Sequence, residues 1–206
     1  MDILGVDEAG RGSVLGPMVI AGVIIPEKMN KVLERMGVKD SKRIVPHRRT
    51  ILSRKLKKMF EYDIIVITAR QIDEMRADGI NLNEIEKNAM EELILRLKPE
   101  KAIVDAVDVK PERFQENLRK DTGFDIIAEH KADDNYIQVS AASIIAKAER
   151  DALIDEINKE YIKDGGIGSG YPSDPTTKKF LSNYTYDELP DFVRRSWNTV
   201  SKMKDV

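Results

Sequence analysis

Two apolar runs near the start of the chain, with a glycine-rich segment between them, predict an early β-hairpin. Ile3–Val6 and Met18–Ile25 are apolar runs of the length that strands have in folded proteins. Gly10-Arg11-Gly12 and Gly16-Pro17 lie between them and supply the residue types that turn a chain. We therefore expect two strands joined by a tight, glycine-rich connection.

Strands and helices alternate through the rest of the sequence. Apolar residues at helical spacing predict helices over residues 46–60, 81–97, 111–120 and 136–161. Short apolar or β-branched runs predict strands at 62–68, 102–104 and 125–128. A strand, a helix and a second strand in succession are typical of a parallel βαβ unit. The sequence thus predicts an α/β fold, with a loop at 165–172 and a polar, helical tail after it.

Composition excludes several classes of protein. The 206 residues include no cysteine, which excludes disulfides, thiolate zinc sites and cysteine nucleophiles. With only His47 and His130 available, any metal site should consist of oxygen ligands. The longest uncharged run, Gly12–Pro26, is shorter than the roughly 20 residues of a membrane span. The acidic N-terminal residues do not match a secretory signal, so we expect a cytoplasmic protein.

Four acidic residues follow the predicted strands. Asp7 and Glu8 close the first strand, Asp105 closes the fourth, and Asp133 comes just after the fifth. Sites form at the carboxyl ends of strands in open α/β sheets, and neighbouring strands lie about 4.8 Å apart. If the first and fourth strands are neighbours, Asp7 and Asp105 can ligate one cation, for which Mg²⁺ or Mn²⁺ is suited.

Some details of this carboxylate site stay open at the level of sequence. Consecutive strand residues point to opposite faces, so Asp7 and Glu8 share a site only if the strand ends or bulges there. Asp108 and Asp134 are close enough in sequence to compete for the same role. His130 is a further candidate for proton transfer, although a histidine at a strand end is more often structural.

Six motifs follow one another along the chain. They are Asp7-Glu8-Ala9-Gly10-Arg11-Gly12, Asp40-Ser41-Lys42, Val104-Asp105, Glu129-His130-Lys131-Ala132-Asp133, Ala142-Ser143-Ile144-Ile145-Ala146-Lys147 and Gly168-Ser169-Gly170-Tyr171-Pro172-Ser173-Asp174. Taken together and in order, they resemble the motifs of ribonuclease HII, the type 2 ribonuclease H, in its archaeal or bacterial single-chain form. The resemblance extends from residue 3 to about residue 200.

The resemblance implies an α/β, RNase H-like fold, with a five-stranded mixed sheet flanked by helices and a helical C-terminal part. We expect residues 1–165 to form the catalytic domain. We expect residues 166–206 to form a substrate-recognition loop and a helical segment packed on that domain.

The resemblance also implies a metal-dependent endoribonuclease that acts in DNA replication and repair. Such an enzyme cuts the RNA strand of RNA–DNA hybrids and incises 5′ of single ribonucleotides in duplex DNA, leaving 5′-phosphate and 3′-hydroxyl ends. The residues that match the family's carboxylates, and so are expected to bind two Mg²⁺ or Mn²⁺ ions, are Asp7, Glu8, Asp105 and Asp133.

Substrate contacts follow from the same resemblance. The backbone of Gly10-Arg11-Gly12 is expected to meet the ribose 2′-hydroxyl, the group that distinguishes RNA from DNA. Tyr171 is expected to pack on the sugar at the RNA–DNA junction. Lys42 and Lys147 are candidates for contacts near the cut.

Basic charge is unevenly distributed along this chain, whose net charge is −2. Residues 42–58 hold eight of the 34 Lys and Arg residues and no Asp or Glu, which indicates a track for phosphates. Further basic charge near the tail comes from Lys178, Lys179, Arg194 and Arg195.

The C-terminal residues give no sign of a protein partner. Some archaeal relatives end in a glutamine-plus-aromatic motif that binds a sliding clamp, but residues 202–206 contain no paired aromatic. Clamp binding through the tail is therefore not expected. No motif demands an oligomer, so we expect a monomer without a membrane partner.

Two other functions are compatible with these residues. A ribonuclease HIII-like enzyme would degrade longer hybrids without cutting at a single ribonucleotide. A non-catalytic RNA–DNA binding module would bind in the presence of chelator and would not cleave with Mn²⁺. An aspartyl-nucleophile phosphatase is disfavoured because its Asp-x-Asp arrangement is absent after the first strand.

Overall fold

A computed structural model describes residues 1–205, including every side chain in this range except those of Asp40, Ser41 and Asp205. Val206, the last residue of the predicted recognition segment, lies outside the described residues, as do the side chains of Asp40 and Ser41 in the second motif. The strands are β1 (Asp2–Ala9), β2 (Met18–Pro26), β3 (Tyr62–Ile67), β4 (Lys101–Asp105) and β5 (Ile126–Glu129). The helices are α1 (Asn30–Met36), α2 (Pro46–Met59), α3 (Ala69–Ala77), α4 (Leu82–Leu97), α5 (Pro111–Thr122), α6 (Ala132–Asn135), α7 (Ile137–Tyr161), α8 (Pro175–Leu181) and α9 (Asn198–Ser201).

Within residues 1–205 the strands form a five-stranded mixed sheet in the order β3-β2-β1-β4-β5. β1 pairs antiparallel with β2, as the hairpin prediction requires, and parallel with β4, which pairs parallel with β5. This topology confirms the predicted five-stranded mixed sheet. It also makes β1 and β4, the strands that precede Asp7 and Asp105, direct neighbours.

The described chain divides into two compact units. The first consists of Met1–Ala9, Val19–Ile65 and Asn83–Ala148, and the second of Gly10–Met18, Val66–Leu82 and the residues from Glu149 onward. The predicted boundary at residue 165 stays a prediction.

In the first unit, α7 begins directly against β1. A Cβ atom on Gly5 would lie 2.1 Å from the carbonyl oxygen of Gln138, so only glycine permits this approach. The core beside this contact contains Ile3, Ile103 and Val139. Close packing of α7 on the sheet agrees with the small residues in its sequence.

The second unit has its own core, centred on three aromatic rings. The Tyr161 ring packs edge-on against Phe180 and Phe192, with centroids 5.2 and 5.5 Å away. Among the described residues of the C-terminal segment, helix is limited to α8, α9 and short 3₁₀ turns. The segment is therefore held by its apolar core more than by regular structure.

Several element boundaries and faces differ from the sequence prediction. The third strand ends at Ile67 because Thr68 caps α3 in a reciprocal pair of hydrogen bonds with Gln71. In α2, the apolar residues Ile51 and Met59 are 41% and 42% exposed rather than buried. Leu52, Ser53 and Leu56 are the buried residues of that helix. The sequence prediction did not include α1 or α3.

Among residues 1–205, no helix has both the length and the apolar character that a bilayer crossing requires.

Candidate active site

Three carboxylates meet at one edge of the sheet. Asp7 and Glu8 lie near the end of β1, and Asp105 is the last residue of the neighbouring strand β4. One carboxylate oxygen from each lies within 4.8 Å of the other two. This brings together three of the four acidic residues that the sequence singled out.

Asp7 and Glu8 share this edge without the strand end or bulge that the alternation of side chains along a strand predicts. β1 stays in regular register with β2 through Ala9, so that part of the expectation was wrong. Pairing of β1 with β4 stops at Val6, which leaves the following residues open on that side. The Asp7 carboxylate also contacts the next residue of its own strand, since its Oδ1 accepts a 2.8 Å hydrogen bond from the Glu8 N–H.

The electrostatics of the three carboxylates favour a bound cation. Burial raises the pKa of Asp7 well above its ordinary value, and the negative charges of Glu8 and Asp105 raise it further. Burial also raises the pKa of Asp105, against a lowering effect of the hydrogen bond from the Ala132 N–H. An all-oxygen set of like charges this close fits a hard divalent cation such as Mg²⁺ or Mn²⁺, which would relieve the repulsion.

Asp133 lies beside this cluster rather than within it. The residue belongs to α6, its side chain is only 6% exposed, and its Oδ1 is 3.3 Å from the Lys42 Nζ. The turn before it connects to the cluster, since the Ala132 N–H donates to Asp105 Oδ1 at 2.8 Å. Lys131 precedes this contact with a φ of 56°, a left-handed conformation that a non-glycine residue adopts at a cost.

The competing acids have other partners. Asp108 forms a bidentate pair with Arg113, and both of its oxygens accept from that guanidinium. Asp134 accepts a 2.7 Å hydrogen bond from Lys42 Nζ, and this bond is the main cause of the raised pKa of Lys42. His130 Nε2 lies 3.3 Å from the carbonyl oxygen of Val109. None of these three residues belongs to the three-carboxylate cluster.

The other predicted substrate residues fall in different places. Lys147 is half-buried on α7 in the first unit. Gly10-Arg11-Gly12 and Tyr171 belong to the second unit. Tyr171 is 38% exposed, and the loop before it binds the segment after the turn, because the Gly170 carbonyl accepts from the N–H groups of Val14 and Leu15.

Two buried arginines organise this part of the second unit, in a role that no sequence pattern indicates. The Arg194 guanidinium donates to the carbonyl oxygens of Gly10, Arg11 and Gly16 at 2.7, 3.0 and 3.0 Å. Its side chain is fully buried, so the expectation that Arg194 adds surface charge was wrong. The pair Arg194-Arg195 carries no sequence pattern that distinguishes a buried arginine from a surface one.

Arg150 has a similar place on α7. Its Nη2 donates to Ser13 Oγ at 2.5 Å and to the carbonyl oxygen of Leu15 at 3.2 Å. Its guanidinium also lies 5.1 Å from the centroid of the Tyr171 ring. A Cβ atom on Gly10 would lie 2.2 Å from Arg150 Nε, which explains the glycine there, with its φ of 82°.

Comparison with known proteins identifies the family. The model of the Ribonuclease HII family matches residues 4–200. The chain belongs to the ribonuclease HII family. It is therefore a metal-dependent hydrolase of the ribonuclease H group, whose substrates are RNA–DNA hybrids.

Individual ribonucleases HII are similar over their whole length. The ribonuclease HII of Methanobrevibacter smithii is 77% identical over 205 residues, covering 100% of this chain and 99% of that protein. The crystal structure of ribonuclease H2 from Pyrococcus horikoshii OT3 is 42% identical with a TM-score of 0.90, covering 100% and 98% of the two chains. A structure of the PCNA:RNase HII complex from Archaeoglobus fulgidus is 41% identical with a TM-score of 0.89, covering 96% of each chain. These similarities confirm the RNase H-like fold that the motifs predicted.

Proposed function

We propose that this ribonuclease HII cuts the RNA strand of RNA–DNA hybrids and incises on the 5′ side of single ribonucleotides embedded in duplex DNA, with two divalent cations. Products would carry 5′-phosphate and 3′-hydroxyl ends, as removal of ribonucleotides during DNA replication and repair requires. The observation that carries the proposal is the convergence of the Asp7, Glu8 and Asp105 carboxylates within 4.8 Å in a member of this family.

The carboxylates that would hold the two cations are Asp7, Glu8, Asp105 and Asp133. When bound, such cations polarise a phosphodiester, lower the pKa of water and stabilise the leaving oxygen. The protein contributes the fixed arrangement of the acids. Asp7 is held by the Glu8 N–H and Asp105 by the Ala132 N–H, so both carboxylates are oriented before a ligand arrives.

Lysines near the acids would bind the phosphates of the cleaved strand. Lys42 Nζ lies 3.3 Å from Asp133 and 2.7 Å from Asp134, so its charge is already beside the acids. Lys147 is the second candidate. Their role would be to position the scissile phosphate and to compensate its negative charge.

Recognition of the ribonucleotide would depend on the main chain of Gly10-Arg11-Gly12. The buried Arg194 side chain donates hydrogen bonds to the carbonyl oxygens of Gly10 and Arg11, and these bonds fix the conformation of the turn. Main-chain groups presented in this way contact a 2′-hydroxyl without selecting a base. Tyr171, exposed and next to Arg150, would pack on the sugar. These contacts support residues 166–206 as the recognition segment.

The protein is proposed to act as a monomer. The relative from Archaeoglobus fulgidus was solved in a complex with PCNA. Residues 202–206 of this chain lack the paired aromatic of a clamp-binding tail, so we do not propose clamp binding through them.

The decisive experiment is strand-specific cleavage of a labelled DNA duplex that contains one ribonucleotide, with Mg²⁺, with Mn²⁺ and with chelator. We expect metal-dependent incision on the 5′ side of the ribonucleotide for the wild type and at least a hundredfold slower incision for Asp105→Asn.

Asp108→Asn is the matched control, because Asp108 is near in sequence but pairs with Arg113 outside the cluster. It should cut at the wild-type rate. Degradation of a long hybrid without incision at the single ribonucleotide would instead favour the HIII-like activity. Tight binding without any cleavage would contradict the enzymatic proposal.

A further inference from the structure

A pocket of about 360 Å³ opens in the second unit beside the end of the glycine turn. Arg11 and Gly12 form part of its wall, and Arg76 of α3 forms another part. Asn198 and Thr199 also line it. The described residues that line it include two arginines and no acid, so the charge around the pocket is complementary to that of a phosphate group.

Asp73 on α3, three residues before Arg76, is already engaged by other groups. Its carboxylate accepts from the N–H groups of Arg195 and Ser196 at 2.7 and 3.0 Å. It also accepts from the Ser196 hydroxyl at 2.5 Å. These bonds tie α3 to the segment before α9 and leave the charge of Arg76 uncompensated by Asp73.

Trp197 holds the Arg76 side chain in place. The Arg76 guanidinium lies 5.1 Å from the centroid of the Trp197 ring, and that of Arg194 lies 4.7 Å from the same centroid. A contact with the face of a ring leaves the N–H groups at the edge of a guanidinium able to donate. The Arg76 side chain makes no hydrogen bond or ion pair with any described residue. It is therefore an oriented cation with its donors available to a ligand.

We propose that this pocket binds a backbone phosphate of the substrate duplex, with Arg76 as the residue that contacts it. The inference rests on the proposed function, in which the turn that forms one wall meets the 2′-hydroxyl. Phosphates follow one another about every 3.4 Å of rise along a strand. The bound phosphate should therefore lie within about two nucleotides of the embedded ribonucleotide, where it fixes the register of the strand.

The test replaces single phosphates of the duplex by methylphosphonates, which removes one negative charge at a time. Incision is measured as kcat/KM, and affinity is measured separately by fluorescence anisotropy in chelator. With the wild type, one linkage near the ribonucleotide should be sensitive, with a loss of about tenfold, as for one charge-assisted hydrogen bond. Arg76→Ala should lose about tenfold on the all-phosphate duplex and become insensitive at that linkage only.

Arg70→Ala is the matched control. Arg70 lies six residues earlier on the same helix and is exposed, and it pairs with Glu74. It should keep the wild-type profile at every linkage. Arg76→Lys should recover part of the lost affinity at the sensitive linkage, which a purely structural role of Arg76 would not produce.

The proposal is overturned if Arg76→Ala keeps the wild-type sensitivity at every linkage. It is also overturned if the linkage that becomes insensitive lies more than about three nucleotides from the ribonucleotide. Failure of the proposed function is distinguishable, because the wild type would then not incise the unmodified duplex. The anisotropy measurements would still test the pocket in that case.

Discussion

Arg194 places a charged side chain in a fully buried environment. Burial lowers its pKa to about 9, which still leaves the guanidinium charged at neutral pH. A buried charge is costly unless it is hydrogen-bonded, and Arg194 is stabilised by three backbone carbonyl oxygens and by the face of Trp197. The conformation of the glycine turn thus depends on a residue more than 180 positions later in the chain.

Replacing this arginine should destabilise the protein strongly. We expect Arg194→Met to lower the free energy of unfolding by about 3 kcal/mol, since three carbonyl oxygens would lose the hydrogen bond that Arg194 donates. Urea denaturation measures this. Arg195→Met is the control. Among the described residues the Arg195 side chain donates to one carbonyl oxygen, that of Leu189, so its replacement should cost about 1 kcal/mol. Equal losses in the two variants would contradict the assigned role of Arg194.

Ionisation of Asp174 makes the stability of the folded protein depend on pH. Hydrogen bonds from Ser169 and from the Thr176 N–H hold its pKa at about 2. Because the pKa is lower in the folded protein, the ionised form stabilises it. That stabilisation is present above about pH 4 and is lost as the pH falls through about 2.

We expect Asp174→Ala to lower the free energy of unfolding by about 1 kcal/mol at neutral pH through loss of the cap of α8. The difference from wild type should shrink as the pH falls from about 4 to about 2, as measured by urea denaturation across that range. A difference that stays constant over this range would exclude the ionised carboxylate as its cause.

At the scale of elements, α2 presents charge of one sign to solvent. The exposed residues of this helix include Arg48, Arg54, Lys55 and Lys58, whereas Leu52 and Leu56 are buried. The solvent face of α4, in contrast, contains both signs, and its Arg96 pairs with Glu92. An unbalanced face of this kind, in a nucleic-acid enzyme, is suited to bind phosphates along a duplex.

We expect the triple variant Arg54→Gln, Lys55→Gln, Lys58→Gln to raise KM while kcat stays near the wild-type value. The slope of log KM against log salt concentration should fall by about one for each phosphate that the variant no longer binds. The control replaces Lys28, Lys31 and Arg35 with glutamine, since these exposed residues lie among acids on and before α1. If both triple variants change the salt slope equally, only net charge matters and α2 has no special role.

At the scale of the whole molecule, the carboxylate cluster lowers the stability of the metal-free protein and provides ligands for a metal ion. Three acids converge at the edge of the sheet, and the raised pKa of Asp7 reflects their burial and mutual repulsion. Without metal, removing one of these charges should stabilise the folded state, because it reduces the repulsion among the acids. With metal, the same change removes a ligand.

Asp7→Asn should therefore melt at a higher temperature than wild type in chelator and gain little from Mn²⁺. The wild type should gain about 2.7 kcal/mol when Mn²⁺ is present at about 100 times its dissociation constant. Thermal and urea denaturation, with and without Mn²⁺, measure both effects. Asp108→Asn should respond to Mn²⁺ as wild type does; a loss of response there would place the metal outside the cluster.

Local sequence patterns were sufficient to predict much of the secondary structure of this protein. The hairpin of β1 and β2, the helices α2, α4, α5 and α7, and the parallel unit around β4 follow from the period of apolar residues and from glycine and proline positions. These patterns also placed Asp7, Glu8, Asp105 and Asp133 near strand ends. The motif order then indicated the family, which the family model confirms.

Only the tertiary structure decided which distant residues meet. Sequence did not reveal that Asp133 stays outside the three-carboxylate cluster, or that Arg150 and Arg194 are buried beneath the loops of the second unit. Nor did it show α3, whose Arg76 lies against Trp197. The spacing of apolar residues indicates which face of a helix or strand is buried, because each apolar residue favours burial by itself. Whether a charged residue is buried depends instead on hydrogen-bond partners from remote parts of the chain, and no local pattern indicates those partners.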